Sequence, residues 1–189
     1  GSFTLSTDLE HQLERPVRIA NDADCFTLSE ATDGAAASAR SVFGVIIGTG
    51  TGGGIVVNGQ LLHGPNAIAG EWGHNPLPWP QPSELPGPAC YCGKRGCIET
   101  WVSGPALAAD LERLTARKLD GKAIAAAAEH GDEEAEAALQ RYEGRLARAL
   151  STVINLLDPE VIVLGGGLSN LERLYHNLPA RIRPYIFGD

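Results

Sequence analysis

Apolar positions along the chain follow two different periods, and where the period changes the elements can be placed. Residues 41–47 (Ser-Val-Phe-Gly-Val-Ile-Ile) are nearly all apolar, the pattern of a strand buried on both faces. A shorter apolar run at 16–20 reads as a strand, and a helix-like stretch follows from 23 to about 36. Residues 55–57 (Ile-Val-Val) form a third strand. Asn58-Gly59 then supplies the positive-φ pair of a tight hairpin, and 60–62 return. From 63 to 104 no period runs at all. Prolines and glycines crowd this stretch, and a loop that long inside a compact domain is uncommon unless something pins it. Helical periodicity resumes after Pro105. It is clearest over 132–157, where Leu139, Tyr142, Leu146, Leu150, Val153 and Leu157 recur at three- and four-residue steps. Asp158-Pro159 ends that helix, 160–164 reads as another buried strand, and a further helix begins near Asn170.

Composition narrows the function classes. The chain has 189 residues, 43% of them hydrophobic and 20% charged, with a net charge of −8. No block of Lys or Arg gives it an electrostatic reason to bind nucleic acid or an anionic membrane. Its longest apolar runs are far too short to span a bilayer. The start, Gly1-Ser2-Phe3, has no Met and no signal pattern; a Gly-Ser pair is a common tag remnant, so the natural start is expected upstream. A cytoplasmic protein is the expectation.

Of four cysteines, Cys25 stands alone, while Cys90, Cys92 and Cys97 fall within eight residues. In a reducing compartment such a cluster points to metal before disulfide. Gly93 and Gly96 allow the sharp turns that would bring the three thiolates together. Zinc takes four N or S ligands, so one is missing from the run. His74 is the first candidate and His63 the second; the alternative is three buried structural cysteines. Four protein ligands would leave no open position and make the ion structural.

Gly48-Thr49-Gly50-Thr51-Gly52-Gly53 fits a dinucleotide-binding fingerprint formally, but that fingerprint requires a helix directly after the glycines, and here a strand follows. The better reading is a strand–turn–strand whose backbone N–H groups approach a phosphate, with the Thr49 and Thr51 hydroxyls as extra donors; a glycine-rich hairpin without ligand is the alternative. Gly165-Gly166-Gly167 sits between a strand and a helix, where α/β proteins bind ligands, though a packing turn also explains it. Read locally, Asp22 is a helix N-cap. The same place at a helix start would keep a carboxylate ionised and fit to accept a hydroxyl proton.

Together these segments resemble the ROK family of sugar kinases (repressors, open reading frames and kinases) over most of the chain, from about Arg15 onward. The resemblance rests on Asn21-Asp22-Ala23-Asp24-Cys25, on Gly48-Thr49-Gly50-Thr51-Gly52, on Gly70-Glu71-Trp72-Gly73-His74, and on the cysteine run continued as Cys97-Ile98-Glu99-Thr100. It implies an α/β, actin-like ATPase fold of two lobes around an ATP cleft. Residues 1–40 would be the tail of the first lobe and 41–189 most of the second, with the first-lobe phosphate loop and the closing helix lacking. It implies Asp22 as the base on a sugar hydroxyl, and Asn21, Glu71, His74 and Glu99 as sugar ligands. His74 would also be the fourth ligand of a zinc ion held with Cys90, Cys92 and Cys97. Residues 48–52 resemble the second phosphate loop, and Gly165, Gly166 and Gly167 the adenosine-side turn.

The long, proline-rich spacer between His74 and Cys90 looks most like the bacterial fructokinase branch of the Mak type. The implied reaction is therefore transfer of the ATP γ-phosphate, with Mg²⁺ bridging the phosphates, to a hexose, first of all fructose. A glucose, mannose or N-acetylhexosamine kinase is the alternative, and the sugar-sensing half of a transcriptional repressor is another. A homodimer is expected of the full-length protein, and the present chain by itself is expected to be inactive.

Overall fold

The computed structural model describes residues 2–188; Gly1 and Asp189 lie outside it. A first helix, α1 (Ser2–Leu13), had no counterpart in the sequence reading. Residues 16–20, read above as a strand, belong to no regular element. A strand needs a neighbour to take its backbone hydrogen bonds, and none of the four paired strands lies beside this run.

Helix α2 spans Asp22–Thr32. Its N-cap is Asn21, whose side chain accepts from the Asp24 N–H at 3.1 Å; Asp22 is the first helical residue rather than the cap. Strand β1 (Ser41–Ile47) lies as the apolar run predicts. Strand β2 (Thr51–Val57) is longer than predicted and takes in three glycines expected to form a loop. It pairs antiparallel with β1 in unbroken register from Ser41↔Val57 to Ile47↔Thr51. Asn58 and Gly59 (φ 50° and 73°) make the tight turn into β3 (Gln60–Leu61). After the long loop come α3 (Glu99–Val102), α4 (Gly104–Thr115), α5 (Gly121–Glu129), α6 (Glu133–Leu157), β4 (Val161–Gly165) and α7 (Glu172–Ile182). Strand β4 joins β1 in parallel, giving a mixed sheet of order β3-β2-β1-β4. It is half-buried rather than fully buried, because it lies at the end of that order.

Alternation along β1 divides the core. Phe43, Val45 and Ile47 join the large cluster under α6, with Leu139, Tyr142, Leu146 and Leu150. Val42 points to the opposite face, with Ala31, Ala36 and Val56 beneath α2. The α2 side is packed so closely that it excludes side chains from the sheet. A Cβ on Gly44 or Gly54 would lie only 2.0 Å or 2.4 Å from Thr27 Oγ1, and on the opposite face one on Gly53 would lie 2.5 Å from the Trp72 ring. Gly44 and Gly54 therefore serve helix–sheet contact, and Gly53 makes room for Trp72 in the large cluster. Helix α2 therefore packs as a full layer on this face of the sheet.

The proline-rich stretch is pinned in two places. One is its His/Cys cluster, described below. The other is Glu84, 6% exposed, which accepts from Arg145 Nε (2.8 Å) and from Arg148 Nη2 (2.8 and 2.9 Å). Arg148 also donates to the Pro78 carbonyl at 3.4 Å and to that of Trp79, and Arg145 lies over the Trp101 ring at 4.5 Å. Two arginines of α6 thus hold the spacer against the helix, with Asp110 completing the network through Arg141 and Arg145.

Candidate functional site

His74, Cys90, Cys92 and Cys97 come together with their ligand atoms all within 4.8 Å of one another. Cys90 Sγ is 3.5 Å from His74 Nδ1, and Cys92 Sγ is 3.6 Å from Cys97 Sγ. A tetrahedron with Zn–S bonds of about 2.3 Å has edges of roughly 3.8 Å, so these separations suit one ion. Burial first, and then Cys92 and Cys90 beside it, push the Cys97 thiol up to about 12. His63, the second candidate for a ligand, is not in the group.

Backbone turns build this cluster. Gly93 and Gly96 both have positive φ (88° and 69°), and the Cys90 N–H bonds to the Lys94 carbonyl. His74 ends a short 3₁₀ turn, Trp72–His74, anchored by the buried Trp72. With Nδ1 turned to the thiols, the other face of the imidazole looks away from them. Its Nε2 lies 2.9 Å from the Tyr91 hydroxyl and 4.0 Å from Glu71 Oε2.

Glu99, first residue of α3, joins the cluster to the glycine turn. Its Oε2 accepts from the Thr51 N–H at 3.1 Å, and its Oε1 is 4.0 Å from Cys90 Sγ. The turn is tight: Gly48 N–H bonds to the Gly50 carbonyl, and a Cβ on Gly50 would lie 2.6 Å from Glu99 Oε2. Only Gly48, Thr49 and Gly50 form the turn proper. Thr51 and Gly52 are strand residues, and the Thr51 hydroxyl is buried with no partner. Gly52 faces Ala23, where a Cβ would approach to 3.2 Å, so the start of α2, with Asn21 and Asp22, lies against this end of β2. The Asp22 carboxylate accepts from the Ala23 N–H at 2.9 Å.

Two cavities meet at the turn, sharing Thr49 and Pro105. One, of about 540 Å³, is bounded by Thr49, Gly50, Tyr91, Glu99 and Ser103. The other, of about 910 Å³, lies between the turn, α5 and the 3₁₀ turn Gly167–Asn170. Its walls are largely small or apolar (Pro105, Ala108, Ala125, Leu168), with Asp120 and Lys122 at α5, and its size suits a drug-sized or nucleotide-sized ligand. Of the second glycine run only Gly167 lines it. Gly165 and Gly166 are packing positions, where a Cβ would meet the Phe26 ring at 2.6 Å and the Ile47 carbonyl at 2.7 Å. The sequence reading missed the α5 wall. Asp120-Gly121-Lys122 carries an N-cap signal (Asp120 accepts from the Ala123 N–H at 2.8 Å), but nothing in it announces a ligand wall.

A mixed sheet covered by helices on both faces, with a glycine turn opening on one side to a cavity and on the other to a thiol–imidazole cluster, is the architecture of a lobe in the actin-like sugar-kinase class. The sequence model of the ROK family matches residues 2–189, and the chain belongs to that family. It is 42% identical over 182 residues to the N-acetyl-D-glucosamine kinase of Pectobacterium carotovorum subsp. carotovorum, covering 94% of this chain and 60% of that protein. Its fold matches that of a ROK hexokinase from Thermus thermophilus (TM-score 0.83, 34% identity, 97% of this chain and 60% of the other). It also matches a ROK family glucokinase from Streptomyces griseus in complex with glucose and AMPPNP (TM-score 0.85, 28% identity, 97% and 63%). The chain thus spans about three-fifths of the length of these relatives. The fructokinase branch expected from the spacer has no counterpart among them. No helix among the described residues is long and apolar enough to cross a membrane.

Proposed function

We propose that this chain is the larger part of an ATP-dependent hexose kinase whose acceptor is an N-acetylhexosamine, first of all N-acetyl-D-glucosamine. The observation that carries the reading is the position of Glu99, one carboxylate oxygen on the Thr51 N–H of the glycine turn and the other beside the Cys90 thiol. An acceptor site and a phosphate turn are thereby joined through one side chain. The name of the 42%-identical relative favours the acetylated acceptor over fructose.

In this reading Asp22 takes the proton of the attacking sugar hydroxyl as the phosphoryl group arrives. It opens α2, with its carboxylate accepting from the neighbouring Ala23 N–H at 2.9 Å. Asn21, Glu71, His74 and Glu99 hold the other sugar hydroxyls and fix the nucleophile in line. Backbone N–H groups at Thr49 and Gly50 face the transferring phosphate. The apolar cavity ending at Gly167 receives the adenosine. His74, Cys90, Cys92 and Cys97 would hold zinc, which supplies a structural anchor for the loop. Mg²⁺ supplies charge neutralisation on the ATP phosphates. Residues 2–20 are assigned to the first lobe and 21–188 to the second.

The test is ADP release by the full-length protein with Mg-ATP and a panel of sugars. The highest kcat/KM is expected with N-acetyl-D-glucosamine. A higher value with fructose, glucose or mannose overturns the choice of acceptor. Sugar binding without turnover overturns the kinase reading in favour of a sensing domain.

A further inference from the structure

Tyr91 stands between two of the cluster cysteines, yet it is 82% exposed and its ring contributes nothing to the core. Its one firm contact is made by its hydroxyl, 2.9 Å from His74 Nε2, with the two rings edge to face at 5.0 Å. The phenol lies among the groups assigned above to the acceptor. An imidazole has two nitrogens. Nδ1 of His74 is turned to the Cys90 thiol, so Nε2 is the only one left to meet a ligand, and the Tyr91 hydroxyl holds it.

We propose that Tyr91 is a positioning residue of the acceptor site: its hydroxyl occupies the His74 Nε2 position in the sugar-free state, and an acceptor hydroxyl binds His74 by displacing it. This rests on the kinase reading and on the assignment of His74 to the sugar. Displacement is mechanically simple. An exposed side chain can change rotamer without disturbing packing, and its backbone stays fixed between Cys90 and Cys92. The exchange sets affinity without entering the chemistry. Each sugar that binds replaces a protein hydrogen bond already made, so part of the gain from its own hydroxyl is cancelled.

The experiment is Tyr91→Phe in the full-length protein, read by calorimetric sugar binding, by kcat and KM separately, and by zinc content. The variant keeps the ring and removes only the hydroxyl. Acceptor Kd and KM are expected to fall about two- to tenfold, the worth of one net hydrogen bond. The kcat is expected to stay within about twofold, with zinc unchanged. A weaker or unaltered Kd overturns the proposal, since the phenol would then be a sugar ligand or a bystander. Loss of zinc would overturn it too, by making Tyr91 part of the metal loop's framework. Tyr91→Ala should tighten binding in the same direction. Failure of the kinase reading shows separately, as a wild-type protein that turns over no sugar.

Discussion

Asp22 shows how one residue can be correctly located and its local role misassigned. Asn and Asp are both strong helix caps, and in Asn21-Asp22 the sequence alone cannot choose between them. The structure gives the cap to Asn21, which leaves the Asp22 carboxylate one short bond to its neighbour's N–H and otherwise open. A residue not needed as the cap is available for chemistry. Asp22→Asn in the full-length enzyme is therefore expected to lower kcat by roughly two to four orders of magnitude while leaving sugar affinity nearly unchanged. Turnover close to wild type would reduce Asp22 to a helix-start residue. The thiol cluster was legible because its chemistry is written in spacing. Tyr91 was not, because a tyrosine between two cysteines carries no pattern of its own; only the 2.9 Å approach to His74 reveals it.

Strands and helices were read best where a period was sustained over several turns or residues, as in β1 and α6. They were read worst where packing overrode local preference. Glycines normally weaken a strand, so 52–54 looked like loop; they are strand because Thr27 presses on Gly54 from one face and Trp72 on Gly53 from the other, and no side chain would fit. The spacer was equally opaque, since its order comes from Glu84 meeting two arginines more than sixty residues away. For Glu84, burial raises the pKa, but hydrogen bonds from Arg145, the Gln81 N–H and Arg148 outweigh it and hold the carboxyl below its ordinary value. Asp110 is likewise raised by burial and lowered further by Arg145, Arg141 and Arg113. With folded-state values depressed, these groups stabilise the fold at pH above their unfolded values, near 4. That contribution is lost as pH falls through the folded values. Urea melts should show stability falling as pH drops below the unfolded values. Glu84→Gln should remove about 3–5 kcal/mol at neutral pH by leaving buried guanidinium charge uncompensated. A variant with wild-type stability at pH 7 and the same acid slope would show the network to be incidental.

At the scale of the molecule, the cluster and the α6 arginines are independent clamps on one long loop. Removing zinc with a strong chelator should leave the α6 clamp in place. The loop around 72–97 should nevertheless lose protection from hydrogen exchange, and Tm should fall by at least about 10 °C. Elemental analysis should find one zinc per chain before treatment; a metal-free protein with full stability contradicts the assignment. The close fit of α2 on the sheet has a further, kinematic consequence. Thr27 sits where Gly44 and Gly54 lack side chains, so α2 cannot slide or tilt on β1 and β2 without collision. Asp22, the Thr51 N–H and Glu99 consequently move as one rigid body. Relative motion between that body and α1 would be absorbed in the irregular residues 14–20. On the function proposed above, the proton acceptor would then keep its distance from Glu99 throughout such a motion.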